Sequence, residues 1–218
     1  MTSCLAAMQH ACWDSLSVPD PSAELKTDSS RLFVAIELPG EVCEALSRLQ
    51  HELQRRGLEK LRWVRPEGIH LTLKFLGATS VEKVPAIEDA LEEAVEGATA
   101  HDLTLGKLGT FGGSRPRVVW VDLTGEVDAV RRLQESVESA MNGLGFEREA
   151  RVWSAHVTLA RVRPETAREA ASRIPGAITV VQSPAGVIPV REVSLMRSTL
   201  RPSGAVYERV AVFQLGGT

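Results

Sequence analysis

No stretch of the 218-residue chain approaches the roughly 18 consecutive apolar residues that a bilayer-spanning helix needs. No Lys or Arg precedes Lys26, and Gln9 and His10 interrupt the apolar residues near the start, so a cleaved leader is not expected. Cysteine is scarce. Cys4, Cys12 and Cys43 are odd in number and lack the spacing of a metal or redox motif, which fits a reducing compartment and a cytoplasmic location. Charge of one sign is also missing. A net charge of -3 and a pI near 6.0 exclude a histone-like cation, although a local basic cleft remains compatible with a mildly acidic protein. There is no Gly-x-Ser-x-Gly elbow and no P-loop, and "GTFGGS" lacks a strand–turn–helix setting and reads as a turn. No motif offers the three or four clustered His, Cys or carboxylate ligands that zinc requires, so no metal and no cofactor are expected.

What remains is the composition of a globular protein, 44% hydrophobic and 24% charged, with enough length for one sizeable domain or two small lobes. Residues 1–30 are rich in Ser, Asp and Pro without sustained periodicity and are predicted to form a flexible tail, with one bilobal domain over 31–218. "RLFVAIELP" reads as a buried strand. It is followed by a helix with Val42, Leu46, Leu49 and Leu53 on one face and Gly57 as its stop. "LRWV" and "IHLTLKFLG" read as strands. Thr79 and Glu82 suggest a capping box ahead of a helix carrying Val84, Ile87, Leu91 and Val95. Towards the C-terminus "PETAREAASRI" reads as a short helix, "AITVV", "VREVSLMRS" and "AVYERVAVFQL" as strands, and "RPSGA" as a hairpin turn.

Laying "LFVAIELPGEV" over "RVVWVDLTGEV" with a shift of 85 makes Val34, Leu38, Gly40, Glu41 and Val42 identical to Val119, Leu123, Gly125, Glu126 and Val127. A helix follows each segment, the second carrying Val127, Val130, Leu133 and Val137. Then come a tryptophan, Trp63 or Trp153, and a His-x-Thr strand. His70 lies 32 residues after Leu38, and His156 lies 33 after Leu123. The unit is a duplication. The predicted class is α+β, with two pseudo-symmetric lobes, each an antiparallel sheet packed by helices, and a cleft between them.

Alternation along a strand points His70, Thr72 and Lys74 one way, and His156 and Thr158 likewise. Two lobes related by pseudo-symmetry bring these strands together. Paired imidazoles near neutral pH can divide acid and base duties, and threonine hydroxyls can donate to an anionic oxygen. Such a site suits the exchange of one P–O bond for another, with no metal and no covalent intermediate.

The paired motifs "HLTL" and "HVTL" in a duplicated α+β chain resemble the 2H phosphoesterase superfamily. "WVRPEGIHLTLKFLG", "RPRVVWVDL", "HVTLARV" and "VSLMRSTLRPSGAVYERV" are similar to its RNA 2',3'-cyclic phosphodiesterase group, also described as 2'-5' RNA ligase-like, over about residues 31–215. One departure is Ala155, where the family often has Pro, and it removes no chemical group. The resemblance implies hydrolysis of 2',3'-cyclic phosphate ends of RNA or nucleotides to 2'-phosphates, with ligation to an RNA 5' hydroxyl as the reverse reaction. It implies His70 as proton donor, His156 as acceptor, and Thr72 and Thr158 on the phosphate oxygens. A monomer free of membranes, with RNA ends or cyclic nucleotides as its partners, is expected. The alternatives are a phosphodiesterase for a small cyclic nucleotide and a non-catalytic RNA- or nucleotide-binding module.

Supporting residues carry two readings each. Lys74 either offsets phosphate charge or reaches solvent at a strand end. Arg161 stands an odd number of steps from His156, so alternation aims it away, while the resemblance favours a phosphate role that a bulge or strand end would reconcile. Phe111 either stacks on a base or is core. Arg115 and Arg117 form a basic rim or a solvated turn. Trp63 and Trp153 are expected to pack, and His10, His51 and His101, which lack the Thr, to lie at the surface.

Overall fold

The computed structural model describes residues 29–201 and 204–216. In chain order its elements are β1 (Ser29–Glu37), α1 (Gly40–Leu53), β2 (Arg62–Trp63), β3 (His70–Ser80), α2 (Val84–Glu96), β4 (His101–Phe111), β5 (Val118–Gly125), α3 (Val127–Gly143), β6 (His156–Arg161), α4 (Ala167–Val180), β7 (Val187–Val190), β8 (Glu192–Arg201) and β9 (Gly204–Gln214). The predicted tail lies outside the described residues except for Ser29 and Ser30, which open β1 opposite Ser80 and Thr79.

The strands form one sheet in the order β7-β4-β5-β6-β3-β1-β8-β9, with β2 added on β6, and every pairing is antiparallel. The α+β class and the two pseudo-symmetric halves are as predicted, but the halves are not consecutive pieces of chain. β8 and β9, from the C-terminus, complete the half that contains β1 and β3. β4, from before the repeat, completes the half that contains β5 and β6.

Alternation sorts the two faces of the sheet. In β5, Val119, Val121 and Leu123 are buried, while Val118, Trp120 and Asp122 face the other way and are half-buried. In β1 the same rule sends Leu32, Val34 and Ile36 into the main core and Phe33 and Ala35 into a small second cluster with Met196 and Tyr207. The main core is closed by apolar stripes at helical spacing, such as Val42, Leu46, Leu49 and Leu53 on α1 and Val130, Leu133, Val137 and Met141 on α3. Each stripe residue contributes about 1.5–3 kcal/mol of burial against the large opposing loss of chain entropy.

Some local predictions are corrected. The capping box does not form: Val81–Lys83 is a turn of 3-10 helix, α2 starts after it, and the Thr79 hydroxyl donates to the Gly77 carbonyl instead. "AITVV" is not a strand: its first four residues end α4 and Val181 caps it, because Ala170, Ile174 and Ala177 continue one buried helical stripe through Pro175 and outweigh the β-branched preference. A separate short strand, β7, precedes β8, and its Pro189 is tolerated because β7 is an edge. The last hairpin forms as read, with Arg201 opposite Gly204.

The largest correction concerns Lys74. Val34 pairs with Lys74 and Ala35 with Thr72, so Leu73 is an extra residue in β3. A bulge of one residue inverts the alternation after it. Lys74 therefore turns into the core, 2% exposed, where its Nζ meets Glu138 Oε1 at 2.7 Å and also donates to the Glu147 carbonyl. Glu138 accepts the Glu149 amide in turn, at 3.0 Å. The lysine of the first repeat thus ties down the loop that leads into β6. Lys74→Met would leave Glu138 buried without its opposite charge and is expected to lower stability by about 3–5 kcal/mol, read as the midpoint of urea unfolding. Lys74→Met with Glu138→Leu should recover most of that loss, and an unchanged midpoint in the single variant would contradict the assignment.

Candidate active site

As paired strands β3 and β6 share a single register position, Leu71 opposite Val157. Both of these side chains are fully buried on the helix side. Their neighbours point to the other face, and the antiparallel register sets His70 beside Thr158 and Thr72 beside His156. All four are half-buried. The two His-x-Thr motifs therefore meet across the seam between the halves of the sheet, on the face that helices leave open. Among the described residues neither threonine hydroxyl has a hydrogen-bond partner.

Each imidazole is oriented in the same way. His70 Nδ1 lies 2.9 Å from the Gly68 carbonyl and His156 Nδ1 lies 2.7 Å from the Ser154 carbonyl. A carbonyl can only accept, so Nδ1 carries the proton and Nε2 is left to exchange one with a ligand. Aromatic rings brace both. Tyr207 meets His70 edge-on at 5.2 Å and Phe33 lies 4.8 Å from it, while Phe111 meets His156 edge-on at 4.8 Å with Trp120 at 6.2 Å. Trp120 reaches this position because it lies over Gly109, where a Cβ would come within 2.2 Å of the indole. Phe111 is thus a half-buried wall of the site. Sequence reasoning missed Tyr207, the single tyrosine of the chain, which arrives from the distant β9.

Arg161 is brought in by a second bulge. Val119 pairs with Ala160 and Trp120 with Thr158, so Leu159 is the extra residue of β6. Ala160 takes the buried position and Arg161 returns to the face of His156. The bulge invoked to reconcile Arg161 with the site is present. Leu73 and Leu159 are equivalent in the repeat, as are Lys74 and Ala160, and Phe75 and Arg161. One half of the cleft consequently presents a guanidinium where the other presents Phe75, which is 56% exposed.

Both rings have pKa values below the ordinary 6.5. Burial is the main cause at each, and the positive charge of Arg161 adds to it at both. At His70 the bond to Gly68 and the carboxylate of Glu37 work in the opposite direction. At His156 only the bond to Ser154 does so. Glu37 stands opposite His70 in β1 and accepts from Ser194 Oγ at 2.6 Å and Arg209 Nε at 2.8 Å. Burial works to raise its pKa, but those bonds and the nearby Arg209 and His70 hold it below the usual carboxylate range. Glu37, Glu67, His70, Met196 and Tyr207 line part of a cavity of about 50 Å³ on this side.

The other expected positions divide. Lys74, buried against Glu138, is not in the site. Trp63 and Trp153 pack as expected, and Trp153 Nε1 donates to the Thr72 carbonyl at 3.0 Å. Arg115 and Arg117 are exposed beside the Phe111 turn, and His51 is exposed. His101 is not at the surface. It is 4% exposed, since it opens β4 opposite Val190 with its ring turned inward. His10 lies outside the described residues. Among the described residues no three His, Cys, Asp or Glu side chains converge as a metal site.

The profile of the family described as "LigT like Phosphoesterase" matches the chain twice, over residues 36–120 and 121–207. The chain belongs to the LigT-like phosphoesterase family. The two adjoining matches coincide with the duplication read from "LFVAIELPGEV" and "RVVWVDLTGEV". This LigT-like chain is 31% identical to an RNA 2',3'-cyclic phosphodiesterase of Methanothermobacter thermautotrophicus, over 85% of this chain and 98% of the relative. It is also 31% identical to one of Archaeoglobus fulgidus, over 84% of this chain and 99% of the relative. The crystal structure of E. coli LigT complexed with 3'-AMP superposes with a TM-score of 0.69 at 25% identity, covering 86% of this chain and 99% of that one.

The depressed pKa values carry a sign. An unfolded histidine takes up a proton as pH falls through about 6.5, whereas these folded rings resist until lower pH. Between the two, the unfolded state binds more protons, so stability rises with pH below about 6.5 and levels off above it. Replacing both rings by Gln is expected to flatten the curve of unfolding free energy between pH 5 and 7 (a window of about two units around the ordinary value). An equally steep curve in the double variant would contradict the burial of the neutral rings.

Proposed function

We propose that the chain hydrolyses the 2',3'-cyclic phosphate at an RNA end to a 2'-monophosphate, with no metal required, by acid–base catalysis between His70 and His156. The observation that carries this reading is the meeting of two imidazoles, two threonine hydroxyls and Arg161 on one face at the β3–β6 seam, with both Nε2 atoms and both hydroxyls without a hydrogen-bond partner among the described residues. His156 Nε2 takes a proton from water as the water oxygen attacks phosphorus. The bond from phosphorus to O3' breaks on the opposite side, and His70 Nε2–H delivers its proton to that oxygen. Thr72, Thr158 and Arg161 hold the non-bridging oxygens, and Phe111 offers a wall for a base. Burial and Arg161 lower the pKa of both rings, and Glu37 opposes them at His70 alone, so the two imidazoles are electrostatically unequal, as separate donor and acceptor roles require; His70 takes the donor role with the proton it must gain before turnover. With an RNA 5' hydroxyl in place of water, the same steps would form a 2'-5' linkage.

An RNA end is favoured over a small cyclic nucleotide by the arginines next to the site. Arg62 pairs with Arg161 across β2 and β6, Arg163 follows two residues on, and Arg115 and Arg117 border the adjacent turn. None of Arg62, Arg115, Arg117 or Arg163 has an acidic partner among the described residues, so this track stays available to phosphates although the protein is acidic overall. A monomer in the cytoplasm is the setting we infer.

The test is turnover of an RNA oligomer ending in 2',3'-cyclic phosphate, with phosphorus NMR of the product and a 2',3'-cyclic mononucleotide run in parallel. The 2'-monophosphate should form in excess EDTA, and His70→Ala and His156→Ala should each lower kcat by about 10²-fold or more while remaining folded. Near-normal turnover in either variant would remove the acid–base assignment. A mononucleotide used as well as the oligomer would favour the small-substrate reading.

A further inference from the structure

The two bulges that decide which side chains face the cleft share an unusual support. Gln50 on α1 donates from Nε2 to the carbonyl of Leu159, the extra residue of β6, at 3.1 Å, and to the Val64 carbonyl at 2.8 Å. Gln134 on α3 donates from Nε2 to the carbonyl of Leu73, the extra residue of β3, at 3.3 Å. Both glutamines are buried, at 4% and 5% exposure, on the side of the sheet away from the cleft. Each helix belongs to one repeat and supports the bulge of the other. The sequence carries the trace of this, since "RLQ" occurs at 48–50 and again at 132–134. A buried carboxamide among leucines is costly unless its hydrogens are used; Gln50 spends both on backbone carbonyls, and Gln134 divides its donation between the Leu73 carbonyl and Glu138 Oε2, at 3.4 Å.

We propose that Gln50 is a positioning residue for phosphate binding, which turns Arg161 onto the cleft face by holding the Leu159 bulge from behind the sheet. This rests on the reading of Arg161 as a phosphate contact. Removing the bulge shifts the alternation by one residue, so Ala160 would face the cleft and Arg161 would face away. The support is one-sided in its consequence. The equivalent bulge held by Gln134 delivers Phe75 outward and Lys74 inward, so it places no cation in the cleft. Val64 N–H also donates to the Leu159 carbonyl, at 2.9 Å, and Val162 N–H to the Arg117 carbonyl, at 2.8 Å. Arg161 is thereby fixed on both sides by backbone bonds whose register Gln50 sets.

The experiment is a double-mutant cycle on the full-length protein, with an RNA oligomer ending in 2',3'-cyclic phosphate as substrate and inorganic phosphate as inhibitor. Gln50→Met, which keeps the length and loses the donors, is expected to raise KM and the phosphate inhibition constant about tenfold, as a misplaced binding group does, with kcat within about threefold of wild type. In an Arg161→Ala background the same change should move neither constant. A purely structural role would raise both constants equally in the two backgrounds, and that result, or a wild-type KM in Gln50→Met, would overturn the proposal. A wild-type KM in Arg161→Ala alone would instead remove the phosphate role of Arg161, and this proposal with it. If Gln50→Met does not fold, Gln50→Glu, which keeps the shape and replaces the donor by an acceptor, is expected to give the same linked change, and its absence would count equally against the proposal.

Discussion

The contact of Leu71 with Val157 is the constraint on which the rest of the site depends. Two strands from the two repeats are paired there at one register position, with both side chains sealed into the helix-covered core. Burying that pair fixes the register, and the register fixes which residues stand beside it on the other face. A slip of one residue would send the imidazoles into the core and the leucines into the cleft. Specificity of the site is therefore a by-product of the strongest force in the molecule, the burial of apolar side chains between sheet and helices.

Exchange between the repeats reinforces that register. Strands β8 and β9 complete the first half, β4 the second, and the helices α1 and α3 reach across to the bulges of the opposite motif strand. Lys74 and Glu138 add an ion pair that joins β3 to the segment before β6. Neither half can be loosened without disturbing the other, and the cleft is held at a seam that each half contributes to equally. The chemistry on the two sides is nonetheless unequal. Glu37 lies beside His70 alone, Arg161 acts on both rings, and Phe75 replaces a second cation. A duplicated scaffold thus carries an asymmetric site, which the proposed division into donor and acceptor needs.

Much of this was legible in the sequence because it rests on periodicity. The repeat, the α+β class, the apolar helix stripes and the His-x-Thr strands follow from spacing, and the arrangement of His70, Thr72, His156 and Thr158 on one face follows from alternation. What escaped depends on tertiary events that leave no period. Bulges at Leu73 and Leu159 invert the faces of Lys74 and Arg161, and strict alternation assigned both wrongly. Glu138 lies 64 residues from its partner Lys74, so nothing local marks the pair. "AITVV" has the composition of a strand, yet a buried stripe started by Ala170 and Ile174 carries it into α4. Tyr207 reaches His70 only through the pairing of β9 with β8 and β8 with β1. The glutamines were visible as a repeated "RLQ" that gains meaning only once the bulges are seen.

The central claim is that the two rings serve a single bound phosphate. The most direct measurement is NMR titration of the His70 and His156 side-chain nitrogens with and without saturating inorganic phosphate, together with the binding stoichiometry. One phosphate per chain should raise the pKa of both imidazoles together, since each gains an anion close to its Nε2. Movement of one ring alone, or two independent phosphates each affecting one ring, would contradict the account.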